Sequence, residues 1–189
     1  MQKIAIFASG NGTNTENIIK YFLNHPNIII SLIASNNKSA KVLARAKKYN
    51  IPILIFNNKE LGTNHVLKEL KLKEINFIVL AGFLLKIPTI IINKFMNKII
   101  NIHPSLLPRY GGKGMYGLHV HKKVFESKDK ETGITIHFVN EKYDDGKIIF
   151  QAKCPITPKM TIKAIAKKVQ ALEINFFPRI IESVLNEPN

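Results

Sequence analysis

Asn101-Ile102-His103-Pro104-Ser105-Leu106-Leu107-Pro108, together with the later Asp144-Asp145-Gly146, supplies an amide, an imidazole and a carboxylate. Asn101 and His103 close the apolar run Ile99-Ile100-Asn101-Ile102 at i and i+2, a spacing that points both side chains to one face of an extended chain. Pro104 then stops the strand, because it has no N–H to give to a ladder. The amide can donate to a developing oxyanion, the imidazole can move a proton near neutral pH, and the carboxylate can set the imidazole's protonation state. None of the three is an obvious nucleophile. The set therefore points to acyl transfer by direct attack of a substrate amine, without a covalent acyl-enzyme. An aspartate beside the imidazole is expected to favour the cation and raise the His103 pKa above its reference of about 6.5. Asp145 reads as an ordinary turn residue, and an aspartate before glycine often is one.

The elements that must position these groups follow from hydrophobic periodicity. Lys3 to Ala8, Ile28 to Ser35, Ile53 to Phe56, Phe77 to Ala81 and Lys98 to Ile102 read as strands. Helices are expected between them, at about Thr13 to Leu23, Ser39 to Tyr49, Lys59 to Lys73 and a shorter one starting with Pro88 in the first helical position. Strands that are apolar throughout and alternate with helices indicate a mostly parallel sheet covered on both faces, an α/β fold of Rossmann-like type. Beyond the His103 segment, Gly133 to Val139 and Lys147 to Lys153 read as an antiparallel hairpin around Asp144-Asp145-Gly146. A long helix from about Thr161 closes the chain, with Ile162, Ile165, Ala166, Val169, Leu172, Phe176 and Ile180 as its apolar stripe and Pro178 expected to kink or divide it. One domain is expected over residues 1–189, and Glu187-Pro188-Asn189 reads as a frayed end.

Ser9-Gly10-Asn11-Gly12-Thr13-Asn14 falls between a buried strand and a helix, where backbone N–H groups can face an anion, so phosphate is its natural ligand. It has neither the G-x-G-x-x-G nor the Walker lysine spacing, which disfavours a dinucleotide. His119 and His121 stand at i and i+2, but no cysteine or pair of carboxylates is placed to complete a metal site, and no metal is expected. Gln170 and Glu173 share a helix face and read, on pattern alone, as an exposed polar edge. Gly111-Gly112-Lys113-Gly114-Met115-Tyr116-Gly117 reads as a mobile flap.

Lys and Arg number 28 against 13 Asp and Glu, a formal net charge of +15. The lysines are dispersed, with no basic tail and no alternation with aromatics, so the charge reads as a solvated surface and not as a nucleic-acid platform. Cys154 is the single cysteine, which excludes an intramolecular disulfide. The first apolar stretch, Ile4 to Ala8, is far shorter than the roughly 20 residues a membrane span needs. A cytoplasmic protein with no nucleic-acid or membrane partner is the expectation.

The segment Asn101 to Pro108 resembles the signature of the folate-dependent formyltransferases, and Ser9 to Asn14 narrows the likeness to those acting on glycinamide ribonucleotide. The resemblance runs from the first strand to the helix carrying Glu173. It implies transfer of the formyl group of 10-formyltetrahydrofolate to the ribonucleotide's amine in purine synthesis, without a metal. Asn101, His103 and Asp144 then take the positions of the family's catalytic trio. Gly12, Thr13, Asn14, Gln170 and Glu173 would bind the ribonucleotide. Leu84, Leu85, Lys86, Ile87, Ile92, Asn101 and Val139 would border the folate, and His119 or His121 would line the cleft. Residues 1–100 are thereby expected to form the phosphate-binding half and 101–189 the catalytic and folate-binding half. The length of 189 residues favours this branch over relatives carrying an added RNA-binding or regulatory domain.

Overall fold

The computed structural model describes residues 1–187, so Pro188 and Asn189 of the expected frayed end lie outside the described residues. Two compact units meet in the chain between Ile100 and Asn101.

The first unit contains β1 (Gln2–Phe7), α1 (Thr13–Phe22), β2 (Ile28–Ser35), α2 (Lys41–Lys48), β3 (Ile53–Ile55), α3 (Asn58–Leu61), α4 (Asn64–Leu72), β4 (Phe77–Leu80) and α5 (Thr89–Lys94), and it ends in the start of β5 (Ile99–His103). Its strand order is β3-β2-β1-β4, with β1 parallel to both β2 and β4 and β2 parallel to β3. Ile4, Ala5, Ile6 and Phe7 are fully buried, as a central strand covered on both faces requires. The helix expected over Lys59 to Lys73 is two helices. Asn57 and Glu60 form a capping box on α3, and Thr63 accepts from the His65 N–H to start α4 anew. Pro88 is the residue before α5 and not its first helical position.

The second unit continues β5 and adds α6 (Leu118–Glu126), β6 (Glu131–Phe138), β7 (Ile148–Pro155) and α7 (Ile162–Asn186). Its strand order is β5-β6-β7, with β6 and β7 antiparallel and Thr135 opposite Gln151. Helix α6 was not foreseen, because only Val120, His121 and Val124 are buried on it and the apolar period is too weak to read. Helix α7 packs on β6, β7 and α6 and continues through Pro178. Burial of Phe177, Pro178 and Ile181 outweighs the main-chain hydrogen bond that proline removes. The stripe accordingly runs Ile165, Val169, Phe177, Ile181; Phe176 is half-buried against the Phe150 ring, and Ile180 is half-buried.

Gly133 on β6 leaves no room for a Cβ between the Ala152 carbonyl and Leu106, whereas a Cβ on Gly62 would meet only the Lys59 carbonyl at 3.6 Å. Gly133→Ala is expected to lose about 1–3 kcal/mol of stability and Gly62→Ala to stay within about 0.5 kcal/mol, as read by urea unfolding of the two variants. Equal stability would contradict the tight β6–β7 approach at Gly133.

Candidate active site

Strand β5 delivers Asn101 and His103 to one face, and the connection from β6 to β7 brings Asp144 to meet them. The His103 imidazole is only 3% exposed. Its Nε2–H donates to the Tyr110 carbonyl at 2.7 Å, because a carbonyl can only accept, and this leaves Nδ1 facing Asp144 Oδ2 at 3.5 Å. The Gly112 N–H donates to the same carboxylate oxygen at 2.9 Å. On the other side of the carboxylate stands His137, whose Nδ1–H donates to the Phe138 carbonyl at 2.8 Å. Its Nε2 is thereby free to accept from the Asn101 amide nitrogen at 3.1 Å, and that nitrogen also lies 3.5 Å from Asp144 Oδ1. Asp145 points away: it accepts from Asn140 and lies 3.9 Å from Lys142 Nζ, with half of its side chain exposed.

The segment after His103 is held largely through one hydroxyl, with Gln151 Nε2 also donating to the Leu107 carbonyl at 3.0 Å. Thr135 Oγ1 donates to the Ser105 carbonyl at 2.7 Å and accepts from the Leu107 N–H at 2.9 Å and Gln151 Nε2 at 2.8 Å, which uses its full capacity of one donor and two lone pairs. Asp129 accepts from the Tyr110 hydroxyl at 2.8 Å and pairs with Arg109 at 2.8 Å, fixing the residue whose carbonyl orients His103.

In the first unit, Gly12 precedes α1 with φ of 73°, a left-handed conformation suited to glycine. A Cβ there would collide with the side chain and backbone of Val42 on α2. Ser9 Oγ donates to Asn36 Oδ1 at 2.6 Å and accepts from the Leu84 N–H at 3.0 Å, joining this loop to the segment after β4.

The formyl transferase family profile matches residues 2–181. The chain belongs to this family. It is 36% identical to a phosphoribosylglycinamide formyltransferase of Haemophilus influenzae over 96% of this chain and 86% of that protein. A chloroplastic phosphoribosylglycinamide formyltransferase of Arabidopsis thaliana is 34% identical over 98% of this chain, which spans 66% of the plant protein's length. Among solved structures, the phosphoribosylglycinamide formyltransferase of Bacillus halodurans superposes with a TM-score of 0.89 at 33% identity, covering 98% of this chain and 96% of that one.

In this formyl transferase Asn101, His103 and Asp144 converge in the second unit. Gly12 is buried and Thr13 and Asn14 are half-buried in the first. Leu84 and Lys86 are exposed, Leu85 is half-buried, and Ile87 and Ile92 are buried, all in the first unit, so of the residues expected to border folate only Asn101 and Val139 fall in the second. Gln170 is exposed on α7 and Glu173 half-buried one turn on. His119 and His121 lie on a helix, where i and i+2 do not share a face. His119 stacks on the Tyr116 ring and His121 is buried. No group of three histidine, cysteine or acidic side chains among the described residues is arranged to hold a metal. Likewise, no helix among them is long and apolar enough to cross a membrane. The start of the glycine-rich segment is anchored, since Gly112 holds Asp144 and Gly111 packs too closely on Leu107 for a side chain.

His137, Tyr110 and Thr135 escaped the sequence reading. The alternation of Thr135 and His137 with the apolar Ile134, Ile136 and Phe138 of β6 was the available signal, since i and i+2 face one side of a strand. The two backbone groups, the Tyr110 carbonyl and the Gly112 N–H, leave no trace in residue types.

The expected rise in the His103 pKa is overturned. Burial lowers it below the ordinary 6.5, and this outweighs the attraction of Asp144 and the Tyr110 hydrogen bond. For Asp144, burial pushes the pKa up, but His137, the attraction of a protonated His103 and the Gly112 N–H together hold it below 3.8. Burial, reinforced by His103, also lowers His121. Both histidines therefore bind protons less readily in the fold than in the unfolded chain, so their contribution to stability is present above about pH 6.5 and is lost as the pH falls through their lower folded values. Thermal melts are expected to show a falling midpoint from pH 7.5 to pH 5, with a shallower fall in His121→Leu. An identical pH slope in the variant would remove His121 from this account.

Proposed function

We propose that this formyl transferase moves the formyl group of 10-formyltetrahydrofolate onto the amine of glycinamide ribonucleotide, a step of purine synthesis. The observation that carries the reading is the convergence of Asn101, His103 and Asp144 with no serine, cysteine or lysine nucleophile among their polar contacts. The names of the relatives support the choice of substrates. The loop from Gly12 to Asn14 is assigned to the ribonucleotide phosphate, and Gln170 and Glu173 to the remainder of that substrate. The half-exposed leucines after β4 are assigned to the flat ring system of the formyl donor, which supplies an activated carbonyl on nitrogen.

Within this reading His103 works from its neutral form. As the amine attacks the formyl carbon, one Asn101 amide N–H exchanges its long 3.5 Å contact with Asp144 for the oxygen that becomes negative, where a donor contributes most. His103 Nδ1 accepts the proton that the amine sheds, and the new imidazolium faces the ionised Asp144 across 3.5 Å. When the carbon–oxygen double bond reforms, the bond to the donor nitrogen breaks and His103 returns the proton to that nitrogen. A low resting pKa suits this cycle, because the base is unprotonated at neutral pH and its cation gains a partner only when formed.

Folate product is expected to form only when glycinamide ribonucleotide accompanies 10-formyltetrahydrofolate; equal release without it would assign the chain to hydrolysis instead. Asp144→Asn is expected to cut kcat by about 10² to 10³ while leaving KM for both substrates within a few-fold, and Asp145→Asn to leave both parameters near the parent. Steady-state kinetics of the two variants decide, and a reversed pattern would overturn the roles given to these aspartates.

A further inference from the structure

Four consecutive carbonyls of the loop from Ser9 to Gly12 are each bound from behind. Asn37 Nδ2 donates to Ser9 O at 3.4 Å, and the Val42 N–H donates to Gly10 O at 3.1 Å. Arg45 Nε–H donates to Asn11 O at 2.8 Å, and the Glu16 N–H donates to Gly12 O at 2.9 Å as the first turn of α1. In a trans peptide the C=O and N–H of one unit point in opposite directions. Tying the Gly10, Asn11 and Gly12 carbonyls toward α2 and α1 therefore turns the N–H groups of Asn11, Gly12 and Thr13 to the other side.

Only one of the three ties on these peptides is made by a side chain. Arg45 is itself held by an ion pair with Glu16 of α1, and Glu16 accepts from the Tyr49 hydroxyl at 3.3 Å and lies 3.7 Å from Lys48 Nζ. The guanidinium is thus aimed from both ends: its Nη1 faces the carboxylate and its Nε faces the loop carbonyl. Lysine could keep the ion pair but has no second donor at that angle.

We propose that Arg45 is a positioning residue for anion binding by this loop, fixing the Asn11–Gly12 peptide so that the Gly12 N–H is presented to the ribonucleotide phosphate. The inference rests on the assignment of that loop to the phosphate. Arg45 acts through the Asn11 carbonyl and not by touching the ligand.

The test compares binding of glycinamide ribonucleotide with that of the corresponding nucleoside, which lacks the phosphate, by calorimetry on the parent, Arg45→Ala and Arg45→Lys. The parent is expected to favour the nucleotide strongly. In Arg45→Ala that preference is expected to fall about tenfold, the usual weight of one charge-assisted hydrogen bond, with nucleoside affinity unchanged. Arg45→Lys is expected to fall nearly as far, since it retains charge without the Nε donor, and it decides the matter alone if the alanine variant does not fold. An unchanged preference in Arg45→Ala, or full retention in Arg45→Lys, would overturn the role of Arg45. A parent that does not distinguish nucleotide from nucleoside would instead overturn the loop's assignment, and this inference with it.

Discussion

A carboxylate kept ionised while nearly buried between two imidazoles is the constraint on which the rest of the second unit depends. Desolvation opposes the charge on Asp144, and only short-range compensation can hold it. That compensation comes from the Gly112 N–H and the Asn101 amide, and from His103 once its imidazole is protonated. To present the carboxylate inward, Asp144 adopts a φ of 52°, and Gly146 passes so close to the Phe138 carbonyl that no Cβ fits. The glycines on either side of the site, 112 and 146, are therefore parts of its electrostatics as much as of its turns.

The same constraint explains the care with which His103 is oriented. A buried imidazole facing a carboxylate is useful only if the nitrogen facing it is the one that titrates. The Tyr110 carbonyl takes the other N–H, and Tyr110 is in turn fixed by Asp129 while Thr135 and Gln151 hold the segment between. Burial and Asp144 then pull the imidazole's proton affinity in opposite directions, and burial prevails in the resting protein. The result is an imidazole whose protonated form is poorly stabilised by its surroundings and well placed beside one anion.

In the first unit the phosphate role proposed for the loop from Gly12 to Asn14 poses the reverse problem, an anion to be bound by neutral groups. Backbone amides can do this only if their carbonyls are engaged elsewhere, because an unpaired carbonyl turned the same way would repel the ligand. The hydrogen bonds from α1 and α2 meet that requirement, and the contact of Gly12 with Val42 sets how closely the loop lies on α2.

Residue type and period determined a good deal by themselves. Apolar runs such as Ile4 to Phe7 could only be covered strands, and the alternation with amphipathic helices implied the parallel order of β1 to β4. Asn101, His103 and Asp144 were legible because their chemistry resides in side chains. Tertiary structure alone decided what depends on distance and burial. The break between α3 and α4 and the unbroken course of α7 turn on capping and packing, which propensity does not weigh. The separation of His119 from His121 followed from α6, a helix whose apolar period is short. The His103 pKa could not be read from an adjacent aspartate, since its sign is set by how much water the fold removes, and the Tyr110 carbonyl and Gly112 N–H are backbone groups that every sequence contains and only a fold can aim.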